Sequence, residues 1–408
     1  MSKIKFIKLL MAFPALLVLL IIIIIRPLLL VRVGLLVSSR MGHFSANTDL
    51  YLCKKFAGID KLSKPTLDLF YYQNTVCNKQ LAVMWARNLI IMPRYLSTLF
   101  SIVTILIRFF SRFTNVINEH INDAILSERD LHDIWSKSPI NLKFTKAELK
   151  KGKHELIKMG IPEESKIVLL NVRDSSYLKK NEEKLDFSYH NYRDCNIDNF
   201  VLVAEHLAKI GYHVIRIGSV VEKPIKSSHP MVIDYAFNGI RSEFMDIYLS
   251  SICYFIITTG SGAEGLAVGC FRKPVVYTNF CPILDFPTFN PFAIAITKHH
   301  VGIKNNKELT FKELISKNLG YSSLSKTYEE EGVTLIENTP EEILEVSLEM
   351  ESKLKDSWRS KDIDSSLQSS FWNIFKESES LHFKKNWHNK LRMTFGSDFL
   401  RNNIWWLK

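Results

Sequence analysis

Between residues 166 and 281, short apolar runs alternate with longer amphipathic stretches. Runs such as Phe255-Ile256-Ile257 are typical of strands in a sheet covered on both faces, and their alternation with helices indicates βα units. This half is therefore expected to be α/β with a parallel sheet, whose ligands bind beyond the carboxyl ends of the strands. The predicted strands are Lys166–Val172, Tyr212–Ile217, Met231–Tyr235, Tyr254–Thr259 and Pro274–Thr278, and the predicted helices are Asp198–Ile210, Ser242–Ser251 and Glu264–Gly269.

The first half of the chain predicts a second unit of the same class. Leu28–Val37 is an apolar, β-branched run, and Asn47 or Thr48 would cap a helix over Asp49–Phe56. A polar helical pattern ends at Gly160, which we interpret as the domain boundary. The predicted segments are a membrane-anchor helix at 1–30, a Rossmann-like domain at 31–160, a second at 161–338, and C-terminal helices with a basic aromatic tail at 339–408.

Two apolar segments point to a membrane. Leu9–Ile25 is uncharged and would extend roughly 25 Å as a helix, just short of a hydrocarbon core of ~30 Å. Because it has no polar face, we expect a membrane-inserted helix rather than a signal peptide or a buried core helix. Leu89–Phe110 carries Arg94 and Arg108, which favours a helix lying among anionic headgroups. The alternative is a buried domain helix with snorkelling arginines.

Charge and cysteine content narrow the class of protein. The 408 residues carry 53 Lys and Arg against 42 Asp and Glu, a net charge of +11. Residues 1–118 hold 15 basic and 3 acidic side chains, whereas residues 119–370 hold 31 and 36. This distribution argues against a nucleic-acid partner and for a membrane or a phosphate group. Six cysteines without metal-ligand spacing favour a reducing, cytoplasmic setting.

The sharpest chemical signal is a glycine-rich turn. The strand Tyr254–Thr259 runs into Gly260-Ser261-Gly262, and a helix opens at Glu264. Glycines permit close backbone approach, and N–H groups at a helix start attract phosphate. The turn lacks the Walker A and dinucleotide-binding patterns, so neither ATP hydrolysis nor NAD use is supported. A purely structural turn is the alternative.

Two arginines are candidate diphosphate ligands. Arg173 stands at the carboxyl end of a strand, where a planar guanidinium can grip a diphosphate, and Arg241 precedes a helix capped by Ser242. Glu243 would accept from a ribose or sugar hydroxyl. A surface ion pair for Arg173, and a simple capped helix for the other three residues, are the alternatives.

His43 is the candidate catalytic base. It lies on a strand-exit loop of the first half, and imidazoles titrate near neutral pH. Asp49, Asp194 and Glu264 are the alternatives. The histidines and cysteines show no metal-ligand spacing, so we predict no metal and no cofactor.

Segments spread from Arg32 to the carboxyl terminus resemble one family. They are Arg40-Met41-Gly42-His43-Phe44, Asn47-Thr48-Asp49-Leu50-Tyr51-Leu52, Val172-Arg173-Asp174-Ser175-Ser176-Tyr177-Leu178, Tyr192-Arg193-Asp194, Ile233-Asp234-Tyr235-Ala236, Arg241-Ser242-Glu243-Phe244-Met245-Asp246, Val275-Val276-Tyr277-Thr278-Asn279, Phe399-Leu400-Arg401 and Trp405-Trp406-Leu407. They are similar to bacterial glycosyltransferases of surface-polysaccharide gene clusters. The resemblance implies a glycosyltransferase B-type (GT-B) fold, distantly fucosyltransferase-like, with two Rossmann-like domains facing a cleft and the donor bound by the second.

Together these features predict a metal-independent glycosyltransferase on the cytoplasmic side of a bacterial cytoplasmic membrane. Its donor would be a nucleotide-diphospho-sugar, gripped by Arg173, Arg241 and the Ser261–Gly262 turn. Its acceptor would be a glycan or a lipid-linked glycan. The competing hypotheses are a non-catalytic nucleotide- or glycan-binding module of a polysaccharide assembly complex, and a luminal type II transferase.

Overall fold

The structure is a computed structural model that describes residues 10–59, 61–73, 75–176, 188–381 and 388–408. Leu9, Tyr177 and Leu178, which enter the predictions above, lie outside these ranges. The chain divides into two compact units. The first comprises residues up to Asp130 together with Lys137–Thr145, and the second comprises Leu131–Ser136 and Lys146–Lys408.

The division falls at Thr145 rather than at the predicted Gly160. The helix Lys146–Lys158 belongs to the second unit, where Gly152 lies so close to the Tyr248 ring that a β-carbon would clash with it. This close approach requires glycine and joins the helix to the unit that follows it in the sequence.

The first unit is built on three parallel strands in the order β1-β2-β3. The predicted cap at Asn47 or Thr48 is absent, because a π-helical turn, His43–Asn47, leads directly into the next helix and keeps Asn47 in helical backbone. The elements are α1 (Ala12–Ile25), β1 (Leu30–Leu36), α2 (Thr48–Ala57), β2 (Thr66–Tyr72), α3 (Lys79–Trp85), β3 (Ile90–Ile91), α4 (Ser97–Phe110) and α5 (Asn115–Asn118).

One face of α1 belongs to the core of this unit. Ala15, Leu19 and Ile22 are buried in an apolar cluster with side chains of β1, β2 and α4. The core-helix alternative therefore describes this face, although α1 shows no polar side. α1 has 14 residues, about 21 Å of helix, and no helix in the described part of the chain is long and apolar enough to cross a membrane.

The segment predicted as an interfacial helix also contributes to this core. Leu89–Phe110 forms the short strand β3 and then α4, whose residues Phe100, Val103 and Ile107 are buried against α1 and the sheet. Arg108 remains exposed and is bonded to Asp123 at 2.8 Å. The segment is thus a domain helix with an arginine at its outer side.

The second unit contains a seven-stranded parallel sheet in the order β12-β9-β8-β7-β4-β5-β6. All five predicted strands of this half are confirmed, whereas β9 to β12 were not predicted. The elements are α6 (Lys146–Lys158), β4 (Ile167–Asn171), α7 (Val201–Lys209), β5 (His213–Arg216), β6 (Val232–Ile233), α8 (Glu243–Ile252), β7 (Phe255–Thr258), a π-helix (Gly265–Cys270), β8 (Val275–Phe280), β9 (Ala293–Thr297), β10 (His299–Gly302), α9 (Phe311–Ser316), α10 (Ser325–Glu330), β11 (Val333–Ile336), α11 (Pro340–Leu354), α12 (Asp364–Leu381), β12 (Thr394–Phe395) and α13 (Ser397–Asn402).

The carboxyl-terminal tail closes the core of this unit. Phe371, Phe395 and Trp406 are buried, and the Phe371 and Phe395 ring centroids are 4.2 Å apart. β12 adds a strand beside β9, at Thr394 and Phe395. The predicted aromatic tail is therefore part of the second unit's packing.

Adjacent leucines of α1 test its packing. We expect Leu19→Ala to lower the free energy of unfolding by about 3 kcal/mol, because it leaves a cavity between α1 and the sheet. Leu20→Ala, at a side chain 53% exposed, should change it by less than about 0.5 kcal/mol. Urea denaturation followed by circular dichroism measures both, and equal effects would show that α1 is not part of the core.

Candidate functional site

Two arginines and one carboxylate meet at the carboxyl end of β4. The Arg173 Nε lies 3.3 Å from Asp194 Oδ1, and the Arg173 amide donates to Thr259 Oγ1. Arg193 donates from its guanidinium to the carbonyl of Gly260, at the end of β7. Burial lowers the pKa of Arg173, and the nearby positive charge of Arg193 lowers it further. The site therefore holds two like charges close together, in a place suited to an anion.

Two further cations at the same sheet edge were not predicted from the sequence. Lys298 follows β9, is 4% exposed, and donates from Nζ to the backbone carbonyl of Asp194 at 2.7 Å. Arg216 ends β5, is 2% exposed, and lies 3.3 Å from Asp234 Oδ2. Its Nε has no hydrogen-bond partner among the described residues. Both are far from Arg173 in the sequence, so only the strand order brings them together.

A cavity of about 310 Å³ opens beside these groups. Its walls include the carboxylates of Asp174, Asp194, Glu222 and Glu337 and the guanidinium of Arg216. Carboxylates at a sheet edge accept hydrogen bonds from hydroxyl groups, and a buried guanidinium donates to oxygen. The cavity therefore suits a ligand rich in hydroxyl groups, with Arg216 as a donor to one of its oxygen atoms.

The glycine-rich turn has the predicted place between a strand and a helix. Gly260 has φ of +76°, and a β-carbon there would lie 2.8 Å from the Phe280 ring, so this position requires glycine. The Gly260 amide donates to Thr258 Oγ1, and the Ala263 amide donates to Ser261 Oγ. Two amides of the predicted phosphate-binding turn are therefore already hydrogen-bonded to hydroxyl groups of the chain itself.

Glu264 is the hydrogen-bond acceptor of its own turn. Its Oε2 accepts from the Ser261 amide at 2.7 Å, from Thr258 Oγ1 at 3.2 Å and from Asn171 Nδ2 at 3.3 Å. Burial raises the pKa of the Glu264 carboxyl, while hydrogen bonds to the backbone oppose that shift. With Oε2 committed to the turn, Glu264 is positioned to hold the loop rather than to accept a proton from an acceptor.

Arg241, Ser242 and Glu243 begin α8. Ser242 Oγ accepts from the Met245 amide, which confirms the predicted cap. Arg241 is bonded to Asp246 Oδ2 at 2.5 Å. The Tyr235 hydroxyl lies within hydrogen-bond distance of Asp246 as well. The capped-helix alternative therefore accounts for the contacts of Arg241 and Ser242. Both residues follow β6, which lies two strands away from β4 in the sheet.

The first unit holds the remaining candidates. His43 begins the π-helical turn after β1, with Nδ1 3.2 Å from Glu128 Oε1 and 3.4 Å from Asn47 Nδ2, and its side chain is partly exposed. Asp49 is completely buried on α2 and accepts from Asn141 Nδ2 at 2.9 Å. Of the two, only His43 is accessible to a substrate without opening the domain.

The histidine pair after β9 forms no base. Burial lowers the pKa of His300 to about 3, and its Nε2 lies 3.6 Å from Cys281 Sγ, whose pKa burial raises to about 11. Burial alone would lower the pKa of His299, but hydrogen bonds to Glu308 and Glu342, and their charges, raise it to about 10.

Among the described residues, no three His, Cys, Asp or Glu side chains are grouped to hold a metal ion. The metal-independent reaction stays a prediction.

Comparison with known proteins finds only distant structural likeness. No family model matches the chain, and no curated protein matches it in sequence. The E. coli ADP-heptose LPS heptosyltransferase II is 12% identical, with a TM-score of 0.38 over 65% of this chain and 90% of that one. A glycosyl transferase family 9 protein from Veillonella parvula is 10% identical, with a TM-score of 0.40 over 66% and 86%.

A third solved structure describes a different enzyme. It is named as a UDP-N-acetylglucosamine 2-epimerase from Listeria monocytogenes, is 11% identical, and has a TM-score of 0.28 over 81% of this chain and 98% of that one. Likeness at this level does not transfer a reaction to this chain.

His299 makes stability depend on pH in a defined direction. Its pKa in the folded state is about 10 against 6.5 in an unfolded chain, so its contribution is full below about pH 6.5 and is lost as pH rises toward 10. We expect His299→Gln to be destabilised by at least about 1 kcal/mol near pH 6.5 and to approach wild type near pH 10. Denaturant unfolding at a series of pH values measures the gap, and a gap constant with pH would contradict the ion pairs.

Proposed function

We propose that the chain is a glycosyltransferase that moves a sugar from a nucleotide-diphospho-sugar to a glycan or lipid-linked acceptor in surface-polysaccharide biosynthesis. The single observation that carries the proposal is the placement of Arg173 and Arg193 together at the carboxyl edge of the parallel sheet. Each arginine lowers the free energy of a bound, doubly charged anion, and without an anion the two positive charges repel each other. The family resemblance of the same segments supports the same reaction.

The leaving diphosphate is the group that these arginines serve. Glycosyl transfer builds positive charge on the sugar and negative charge on the departing phosphate oxygen. Arg173 and Arg193 offer several N–H donors fixed by Asp194 and by the Gly260 carbonyl, so they meet that charge without rearranging. Lys298 adds a third positive charge at the backbone of Asp194.

The remaining donor contacts follow from the cavity. Its carboxylates and Arg216 would receive the hydroxyl-rich part of the donor. The diphosphate of the donor would lie against the turn at Ser261 and Gly262, whose shape is fixed by hydrogen bonds of Ser261 with Asn171 and Glu264. Because Arg241 is held by Asp246, we assign it a role in shaping the sheet edge rather than in gripping the diphosphate directly.

The acceptor side is assigned to the first unit. His43 would take the proton of the attacking hydroxyl, with Glu128 accepting from the imidazole and stabilising it when charged. We place the reaction on the cytoplasmic side of a bacterial cytoplasmic membrane, supported by six cysteines that form no disulfide with one another and by the basic excess of residues 1–118.

Loss of either arginine should weaken donor binding. We expect Arg173→Ala and Arg193→Ala to reduce affinity for nucleoside diphosphates and their sugars at least tenfold, since each removes a charged hydrogen-bond donor worth about 1.5–3 kcal/mol. Isothermal titration calorimetry across a panel of nucleotides measures this. Arg359→Ala, at an exposed arginine of the same unit, is the control. Wild-type affinity in both site variants would overturn the donor assignment.

His43 separates catalysis from binding. We expect His43→Gln to slow sugar transfer by roughly 10²- to 10⁴-fold while leaving donor affinity unchanged, because a general base acts on the acceptor proton. Release of nucleoside diphosphate in the presence of membrane lipid extract is the assay, and His154→Gln, on the exposed side of α6, is the control. Donor binding without turnover in wild type would favour the non-catalytic module.

A further inference from the structure

The outer face of α1 is a continuous apolar stripe. Eight large side chains, six on the helix and one just beyond each end, are spaced by one, three or four residues and are each at least 44% exposed. α1 itself contains no charged residue and no hydrogen-bonding side chain. We call this set the α1 stripe; its members are Leu10, Phe13, Leu16, Leu17, Leu20, Ile21, Ile24 and Leu28.

The stripe is additional to the core that α1 already forms. The opposite face, with Ala15, Leu19 and Ile22, is buried in the first unit, so the exposed residues are not waiting to complete that core. α4 packs beside α1 and carries Ile105 and Phe109 on its exposed side. Isolated exposed hydrophobic residues are ordinary in proteins, but a contiguous patch of this extent marks a binding surface.

The apolar surface of α1 and the arginines around α4 indicate what kind of partner binds this face. A protein interface carries polar groups that form hydrogen bonds across it, whereas the α1 stripe offers none. Arg94 and Arg112 are exposed on and around α4, as is Arg108, which is paired with Asp123. The sequence has no acidic residue between Asp68 and Glu119. An aliphatic face bordered by arginines is complementary to acyl chains beneath anionic headgroups.

We infer that α1 and α4 form a lipid-binding face that inserts, parallel to the membrane plane, into one leaflet of an anionic bilayer. The orientation follows from the packing. Because α1 is held to the sheet along Ala15, Leu19 and Ile22, its outer face meets the membrane along its whole length. Helices that lie this way sink about 5–10 Å into the boundary between headgroups and acyl chains.

This inference extends the proposed function by naming the surface that brings the first unit to a lipid-linked acceptor. It rests on the placement of that reaction at a membrane and not on catalytic turnover. Vesicle binding without any nucleotide sugar therefore tests it separately from glycosyl transfer.

Flotation with vesicles tests the stripe. We expect the full chain to float with vesicles of phosphatidylglycerol and phosphatidylethanolamine, and at least tenfold less with phosphatidylcholine alone. The triple variant Leu17→Glu, Ile21→Glu and Ile24→Glu should lose at least tenfold in binding to the anionic vesicles. A matched triple variant in the second unit, Leu149→Glu, Ile157→Glu and Ile303→Glu, changes side chains of similar exposure and should bind as wild type.

Three results would overturn the inference. They are failure of wild type to float, equal flotation of the stripe variant with an unchanged thermal unfolding midpoint, and a wild-type dimer in sedimentation that the stripe variant converts to monomer without any vesicle binding. The last result would assign the face to a second copy of the chain.

A depth measurement tests the orientation without disturbing the stripe. A fluorophore is attached to Phe13→Cys or Ile24→Cys in a Cys77→Ser background, and vesicles carry quenchers at known depths. The two positions are eleven residues apart, about 16 Å along the helix axis. Equal, shallow depths are expected for a helix in the membrane plane, whereas depths that differ by more than about half that length would overturn the orientation.

Discussion

The structure of the second unit depends on β4, which is hydrogen-bonded on both edges and apolar on both faces. It pairs in parallel with β5 and with β7, and every residue from Ile167 to Asn171 is buried. Parallel neighbours end at the same edge of the sheet, so the residues that follow β4, β5 and β7 are forced to gather there. The site is a consequence of that pairing: Arg173, Arg216 and the Gly260 turn are brought together although the sequence separates them.

The first unit also contains a parallel sheet, and the helix that covers this sheet is the apolar segment that resembles a membrane span. A parallel sheet needs apolar cover, and α1 with α4 supplies it for β1 and β2. As we propose, α1 packs on the sheet with one face and meets lipid with the other, so no side of it needs to be polar. The apolar run therefore reads as a membrane span in the sequence, because periodicity distinguishes core from water and not core from lipid.

The sequence predicts those features that are encoded locally. β4 and β7 were found because each is an apolar run, and α8 because Ser242 caps it. β12 was missed because it is two residues long and exists only through its pairing with β9, about a hundred residues earlier. Arg173 was found at the end of a strand. Lys298 follows β9, which was not predicted, and Arg216 ends β5, which carries no glycine-rich turn or family segment. Such long-range pairings have no local signal.

The contacts of Glu264 change the kind of anion site that we propose at this sheet edge. A turn whose amides were free would bind phosphate through the backbone, and its affinity would depend little on side chains. Here the Ser261 amide is satisfied by Glu264, so the positive charge left for a ligand comes from Arg173 and Arg193. Recognition then depends on the planar fork of the guanidinium, which a lysine does not reproduce. The glycine-rich turn acts by holding the Gly260 carbonyl where Arg193 can be fixed, and the arginines supply the charge.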